Sequence, residues 1–344
     1  MRTLVILVTR NNKTDTIECL ESLRRCEGDF DVFVSDNAST DGTLEAIREW
    51  AEGRVAVATS STAWDTIRDH PVEVKNVTYG IYASEEEAKA DPRQRWLTVA
   101  STGGSKGFPA GNNVGMRYGL TRDYDYFWIL NNDTVVEPTA LVRLVAKMQS
   151  DPQIGICGST LVFYHRPNVV QAWGAGAYDP RSASSRTIGE GQPFPPPPAT
   201  DVLAGFDFVP GASMFCSRAL LEQVGLMNDA LYLYFEEMDW TLRMRPSFKN
   251  GYEPQSIVYH KQGGTMGGGR GRARPSRHRI YYMTTNRILF TRDHYRQWLP
   301  TVVATILIEA AKNAVRGRFS ISSWILKDLI NGLTKAQYPL REML

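Results

Sequence analysis

The chain has 344 residues, 42% hydrophobic and 22% charged, which leaves room for a large core and excludes disordered and fibrous classes. Net charge is only +2 and the basic excess is local: Arg270, Arg272, Arg274, Arg277 and Arg279 fall within residues 266–279, with no acid among them. Without those five the bases are fewer than the 37 acids, which argues against general nucleic-acid binding and for a focused anion site or an exposed arm.

Residues 3–8 read as a first core strand. Their apolar run is too short for a signal peptide, and Arg10-Asn11-Asn12-Lys13 stands where a small-residue cleavage site would be. Asp15 and Glu18 mark a helix start with an apolar stripe at Ile17, Leu20 and Leu23. Residues 30–34 form a second strand, Leu44, Ile47 and Trp50 a second helix, and residues 55–58 a possible third strand. Strand–helix alternation at this spacing predicts an α/β fold with parallel pairing and right-handed crossovers. From 59 to 98 the pattern dissolves, and the segment reads as an insertion with one short helix. A glycine-rich loop at 103–113 opens the next helix, and the strand Tyr126-Phe127-Trp128-Ile129-Leu130 then runs into Asn131-Asn132-Asp133.

The proline-rich stretch at 192–200 reads as a stiff loop. Residues 207–215 read as a strand broken by a turn, 220–224 as a short helix ended by Gly225, and 256–260 as another strand. Residues 301–333 read as helical. Glu309 and Lys312 interrupt the apolar run before a span of about 20 residues is reached, so a packing helix is favoured. Arg316, Arg318, Trp298 and Trp324 leave membrane-surface docking open. Cys19, Cys26, Cys157 and Cys216 lack CxxC spacing, which fits free thiols in a reducing compartment, so a cytoplasmic protein is expected.

Four short features follow inferred parallel strands: Thr9-Arg10-Asn11-Asn12, the 35–42 segment, the 107–113 loop, and Asn131-Asn132-Asp133. Loops after parallel strands gather on one sheet edge, so the four are expected to share a cleft suited to a nucleotide. Asp36 is placed to accept from a pyrimidine ring N–H, and Asp133 to hold a divalent metal against a diphosphate. Each has a plainer reading. Asp36 and Asp41 suit helix capping, the glycines a connector, and the Asn-Asn-Asp triplet a turn. No Gly-x-Gly-x-x-Gly after a strand and no Walker sequence is present.

Seven blocks carry a resemblance: Val8-Thr9-Arg10-Asn11; Ser35-Asp36-Asn37-Ala38-Ser39-Thr40-Asp41-Gly42-Thr43; Gly107-Phe108-Pro109-Ala110-Gly111-Asn112-Asn113-Val114-Gly115; Leu130-Asn131-Asn132-Asp133; Val209-Pro210-Gly211-Ala212-Ser213-Met214; Tyr234-Phe235-Glu236-Glu237-Met238-Asp239-Trp240-Thr241-Leu242-Arg243; and Val258-Tyr259-His260-Lys261-Gln262-Gly263-Gly264-Thr265. In this order they resemble family 2 inverting glycosyltransferases of GT-A fold, the bacterial rhamnosyltransferase-like members among them. The resemblance implies an open, mostly parallel sheet flanked by helices, with a helical C-terminal extension.

It further implies that Asp36 binds the nucleobase, that Asp133 is the metal-contacting member of an Asp-x-Asp motif whose first acid is here Asn131, and that His260 lies near the diphosphate or metal. Glu237 resembles the catalytic base, with Glu236 and Asp239 competing for that assignment. Thr9, Asn11, Asp41, Lys106, Asn112, Asn131 and Asn132 are the remaining expected nucleotide-sugar contacts. Gly211, Glu236, Asp239 and Trp240 are expected near the acceptor. The implied cofactor is Mn2+ or Mg2+. Implied partners are a dTDP- or UDP-linked sugar, with dTDP-rhamnose leading, and a glycan, lipid-linked or small-molecule acceptor. No nucleic acid is expected, and peripheral contact with the inner face of the cell membrane stays open.

The expected organisation is a GT-A domain over 1–265, with a nucleotide half (1–133) and an acceptor half (134–265). A flexible basic loop at 266–279, readable as a lid, and a helical extension at 280–344 follow. The long 59–98 segment, Ser105 in place of a common Asn, and Thr285-Asn286 in place of an Arg-Asn pair depart from the family pattern and leave donor and acceptor choice open. The competing classes are a sugar nucleotidylyltransferase, whose glycine-rich N-terminal signature is missing, and a non-catalytic glycan-binding homologue.

Overall fold

A computed structural model describes residues 1–57, 59, 61–68, 70–71, 74–195, 205–262 and 275–334. The first half runs β1 (Thr3–Thr9), α1 (Lys13–Arg24), β2 (Phe30–Asp36), α2 (Thr43–Ala51), α3 (Asp65–Arg68), β3 (Tyr79–Tyr82), α4 (Glu85–Ala90), β4 (Leu97–Ser101), α5 (Gly107–Leu120), β5 (Tyr126–Asn131) and β6 (Thr134–Val136). It continues through α6 (Ala140–Ser150), β7 (Ile154–Phe163), β8 (Arg166–Trp173), β9 (Gly176–Asp179), β10 (Ser184–Thr187), β11 (Ser213–Ser217), α7 (Arg218–Val224), α8 (Glu236–Met244) and β12 (Lys249–His260). Three helices close the described chain: α9 (Arg277–His294), α10 (Leu299–Val315) and α11 (Phe319–Thr334).

One ten-stranded sheet has the order β3-β4-β2-β1-β5-β11-β7-β12-β6, with β8 paired to β7. From β3 to β5 every pairing is parallel. Beyond β5 the pairings are antiparallel except β7 with β12, so the sheet is mixed and mostly parallel. Side chains alternate across β1, and both faces are covered. Val5 and Leu7 enter the core beneath α1, α2 and α6, whereas Leu4 and Ile6 enter the core beneath α5 and α7. Each such buried aliphatic side chain is worth about 1.5–3 kcal/mol, and the doubly covered central strands account for the near-continuous apolar runs in the sequence.

The expected strand at 55–58 does not form over its described residues. Val55 is exposed there, and the edge is built instead by β4 and β3, which pair outward from β2. The second half of the 59–98 segment is therefore part of the sheet. Its first half packs Ala63, Trp64 and Ile67 against Val135, Val162, Ile257 and Tyr259. Trp64 Nε1 donates to Glu18 Oε1 at 2.7 Å, tying this segment to α1.

Helices α9 to α11 share a smaller core of their own, built from Ile280, Ile288, Val302, Ile306, Ile321, Ile325 and Leu329. It reaches the β9–β10 hairpin through Ala183. Arg277 forks onto the buried Asp328, and Arg287 reaches both Glu309 and the Ser182 carbonyl. Residues 263–274, which hold the end of the seventh block and most of the basic loop, and residues 196–200 of the proline stretch lie outside the described residues.

Candidate active site

Parallel pairing brings the ends of β1, β2, β4 and β5 to one edge, and the loops that follow them bond to one another there. Asn37 N–H donates to the Thr9 carbonyl at 2.8 Å. Asn11, at φ 50°, uses Oδ1 to accept from Thr40 N–H at 2.6 Å, and its own N–H donates to Ser39 Oγ at 3.0 Å. Asn37 Nδ2 donates to the Gly107 carbonyl at 3.0 Å, and Asn37 Oδ1 accepts from Lys106 N–H at 3.2 Å. Asn37 thus joins the β2 loop to the glycine loop. Asp36 is buried at the end of β2, where both carboxylate oxygens take Ser39 N–H at 3.3 Å.

Asp41, one residue before the Gly42 N-cap of α2, takes Thr43 N–H at 3.1 Å and Lys13 N–H at 3.4 Å. Burial opposes its charge, but these bonds and that from the Thr43 hydroxyl outweigh it and hold the carboxyl below its ordinary range. Thr9 is buried, with Oγ1 2.9 Å from Thr16 Oγ1. Asn132 Nδ2 donates to Thr16 Oγ1 at 2.8 Å and to Thr9 Oγ1 at 3.2 Å, so it fastens the β5 turn from inside. Asn112 is likewise buried and donates back to the Phe108 carbonyl at 2.9 Å. Lys106 is partly exposed at the mouth of the glycine loop.

Gly107 is held at φ +83°, and an added Cβ would lie 2.2 Å from the Tyr232 carbonyl oxygen, so the loop admits no side chain there. Phe108 N–H donates to that same carbonyl at 2.9 Å. Ser105 Oγ and the Tyr232 hydroxyl lie 2.8 Å apart, Arg10 also reaches Ser105, and Tyr232 stacks on Tyr282 of α9 with centroids 4.7 Å apart. Tyr232 and Tyr282 gave no signal in the sequence, because nothing local marks a contact between the glycine loop and a C-terminal helix.

Asp133 and His260 meet at the ends of β5 and β12, with Oδ1 and Nε2 3.1 Å apart. His260 Nδ1 lies 3.0 Å from Gln171 Oε1, and Asn131 Nδ2 lies 3.3 Å from Nε2. Since a Gln carbonyl oxygen only accepts, Nδ1 carries a proton and donates. In that tautomer Nε2 offers, beside the Asp133 carboxylate, the kind of lone pair a divalent cation takes. The donor set suits a Mn2+ or Mg2+ ion whose other ligands come from a diphosphate and water. Beside it the Lys261 ammonium reaches Asp15 and Glu18. Burial opposes its charge, yet those two carboxylates raise its pKa, and Lys261 is committed to that pair.

Glu237 belongs to the same edge. Asn131 N–H donates to the Ala212 carbonyl at 3.1 Å, and the neighbouring Gly211 N–H donates to Glu237 Oε1 at 3.2 Å. Glu237 is partly open to solvent, but the walls around it raise its pKa by burial. Glu236 is buried with Oε2 unpartnered among the described residues, and burial followed by the Glu237 charge pushes its pKa well up. Asp239 is also buried but fully engaged, with Arg243 Nε at 2.9 Å and His294 Nε2 at 3.1 Å. Trp240 is wholly buried and donates to the Gly225 carbonyl at 3.0 Å, so the structure places it in the core. Ahead of α8, Tyr234 and Phe235 both adopt left-handed backbone, at φ 71° and 75°. Two such residues in succession store strain beside the carboxylates. Asn286 Nδ2 of α9 donates to the carbonyls of Leu233 (2.9 Å) and Tyr234 (3.3 Å), bracing that turn.

Residues 4–67 match the family model described as glycosyl transferase family 2. The chain is similar to the low-salt glycan biosynthesis hexosyltransferase Agl10 of Haloferax volcanii, at 26% identity over 149 residues covering 42% of this chain. That match spans 45% of the relative's length, so the chain corresponds to under half of it. Among solved structures, the mannosyltransferase PcManGT of Pyrobaculum calidifontis in complex with GDP-Man and Mn2+ superposes with TM-score 0.51 at 13% identity, over 97% of this chain and 88% of that one. S. aureus TarS 1-349 superposes with TM-score 0.49 at 14% identity, over 97% and 79%. Residues 4–67 thus carry a glycosyl transferase family 2 match, and they sit in a mixed, mostly parallel sheet flanked by helices in the GT-A manner.

Proposed function

We propose that this chain is a metal-dependent, inverting glycosyltransferase that moves a sugar from a nucleoside-diphosphate donor to an acceptor hydroxyl. The observation that carries the reading is the facing pair Asp133 Oδ1 and His260 Nε2, 3.1 Å apart on the sheet edge where β2 ends at Asp36 and where Gly211 holds Glu237 of α8. Support comes from the family 2 match, the hexosyltransferase relative and the shared fold.

In this reading Asp36, braced by Ser39, receives the nucleobase, and the glycine loop receives the ribose and phosphates, with Lys106 at its mouth. Asp133 and His260 hold the divalent ion, which when bound supplies positive charge against the departing diphosphate. Asn131 stands beside the ion with an amide rather than a second carboxylate, and His260 Nε2 gives the ion the lone pair that otherwise faces that amide. Glu237 takes the proton from the acceptor hydroxyl as that oxygen attacks the anomeric carbon. The new C–O bond forms as the bond to the diphosphate breaks on the opposite face, so the configuration inverts. The raised pKa of Glu237 makes it a stronger base than an exposed carboxylate.

The donor we propose is dTDP-rhamnose, with UDP-hexoses next, and the acceptor a surface glycan, a lipid-linked sugar or a glycosylated metabolite in the cytoplasm. The test is thermal stability against dTDP-, UDP- and GDP-sugars with and without Mn2+. Selective binding raises the melting temperature by mass action. A shift with one donor, enhanced by Mn2+ and lost in Asp133→Ala, supports the reading. Absence of any shift with every donor overturns it.

A further inference from the structure

We propose that the α10–α11 hairpin is a peripheral anchor that lies in the interface of an anionic phospholipid bilayer. Helix α10 packs Val302, Ile306 and Ala310 into the C-terminal core, while Ala304, Leu307, Ile308, Ala311 and Val315 form an exposed stripe on its other side. Helix α11 repeats the pattern, burying Ile321, Ile325 and Leu329 and exposing Phe319, Leu326, Ile330 and Leu333. Exposure is large where a soluble surface would be polar: Ile308 54%, Val315 89%, Phe319 71% and Ile330 60%.

Charge selects the occupant. The exposed cations of the hairpin are Lys312, Arg316, Arg318 and Lys327. Its two acids are both engaged by α9 arginines, Glu309 by Arg287 and Asp328 by Arg277. The turn reads Val315-Arg316-Gly317-Arg318-Phe319, apolar side chains flanking two guanidinium groups, which suits acyl chains below and phosphate headgroups around. A second copy seated on this face would bring like charges together, which disfavours self-association. Residues Arg296–Val315 are long and apolar enough to cross a bilayer. Crossing would strip Val302, Ile306 and Ala310 from α9 and break the Arg287–Glu309 pair, so the helix lies on the membrane. This inference is independent of the reaction proposed above.

The experiment is cosedimentation of the full chain with vesicles of phosphatidylcholine alone and of phosphatidylcholine with phosphatidylglycerol. We expect binding to the anionic vesicles only, weakened by salt. With each basic residue near the surface contributing as membranes usually allow, Arg316→Gln with Arg318→Gln should lower partitioning on the order of thirtyfold. Phe319→Ser with Ile330→Ser should abolish it, and because all four positions are exposed, an unchanged melting temperature reports an intact fold. No binding to anionic vesicles overturns the proposal, as does binding unaffected by either pair of substitutions. A concentration-dependent dimer in sedimentation that Phe319→Ser dissolves, without vesicle binding, assigns the face to a second copy and also overturns it.

Discussion

Gln171 sets the orientation of His260: the ring's Nδ1 donates to Gln171 Oε1 at 3.0 Å, and the opposite nitrogen is thereby turned to Asp133. Such a partner to a metal-binding imidazole fixes both tautomer and ring angle, and its loss typically weakens metal affinity by about 10–100-fold. Gln171→Leu is therefore expected to weaken Mn2+ binding by roughly that factor in a calorimetric titration, with nucleotide affinity in the absence of metal little changed. Gln171→Glu, which keeps the acceptor, should recover most of the loss. Equal Mn2+ affinity in Gln171→Leu and the unmodified chain would remove Gln171 from this role.

Glu237→Gln should lower transfer by about 10²–10⁴-fold, the usual contribution of a positioned general base, while donor binding persists. Sign follows from the direction of the shift. A base with a raised pKa is protonated over a wider acidic range, so the acidic limb of kcat/KM should lie above the ordinary carboxylate range of about 4.3. Glu236→Gln removes a second carboxyl whose pKa burial and then the Glu237 charge raise well above the ordinary range, and it should cost less than about tenfold. If Glu236→Gln abolishes transfer and Glu237→Gln does not, the two residues exchange roles.

The strand ends were readable because a sheet buried on both faces produces long apolar runs, such as residues 126–130, whose polar exits stand out. Asp36, Asp133 and the glycine loop could be brought together from strand order alone. What the sequence hid has a common cause. Gln171 sits on β8 and Tyr232 before α8, and each acts through a partner distant in the chain; Asn286 of α9 stood out only as part of a departure from the family pattern, and its contact with the turn before α8 is equally distant. No local period marks such contacts. The edge strands β3 and β4 were missed for a related reason: they are short, and β3 is only half-buried, so neither alternation nor a long apolar run announces it. Trp240, expected near the acceptor from the resemblance, turns its ring into the core and donates to the Gly225 carbonyl.

Asn286 braces the left-handed pair Tyr234 and Phe235, and with them the first turn of α8. Asn286→Ala removes both donated bonds and leaves two half-buried carbonyls without that donor, at about 1–3 kcal/mol. A relaxed turn would rotate Glu237 away from the strand ends. The expected result is a fall in kcat of tenfold or more, about 1.4 kcal/mol of barrier, with donor affinity unchanged. A loss of stability alone, with kcat preserved at a temperature where the variant is folded, would make Asn286 a packing residue only.

Asp239 tests whether the acidic cluster divides into reactive and structural members. Burial works against its charge, but the hydrogen bond from His294 and the attraction and hydrogen bond of Arg243 prevail and lower its pKa. A lowered carboxylate contributes stability that is fully present above the unfolded value of about 3.9 and is lost as pH falls through the folded value. Asp239→Asn should therefore destabilise the chain at pH 7, by roughly 1–3 kcal/mol because Arg243 keeps partial access to solvent. The variant should also lose stability less steeply than the unmodified chain on acidification below about pH 4. Urea unfolding at a series of pH values reads both effects. The residue stands 5% exposed between an arginine and a histidine, so an undiminished midpoint at pH 7 would mean that the ion pair contributes nothing and that Asp239 is free to serve the reaction instead.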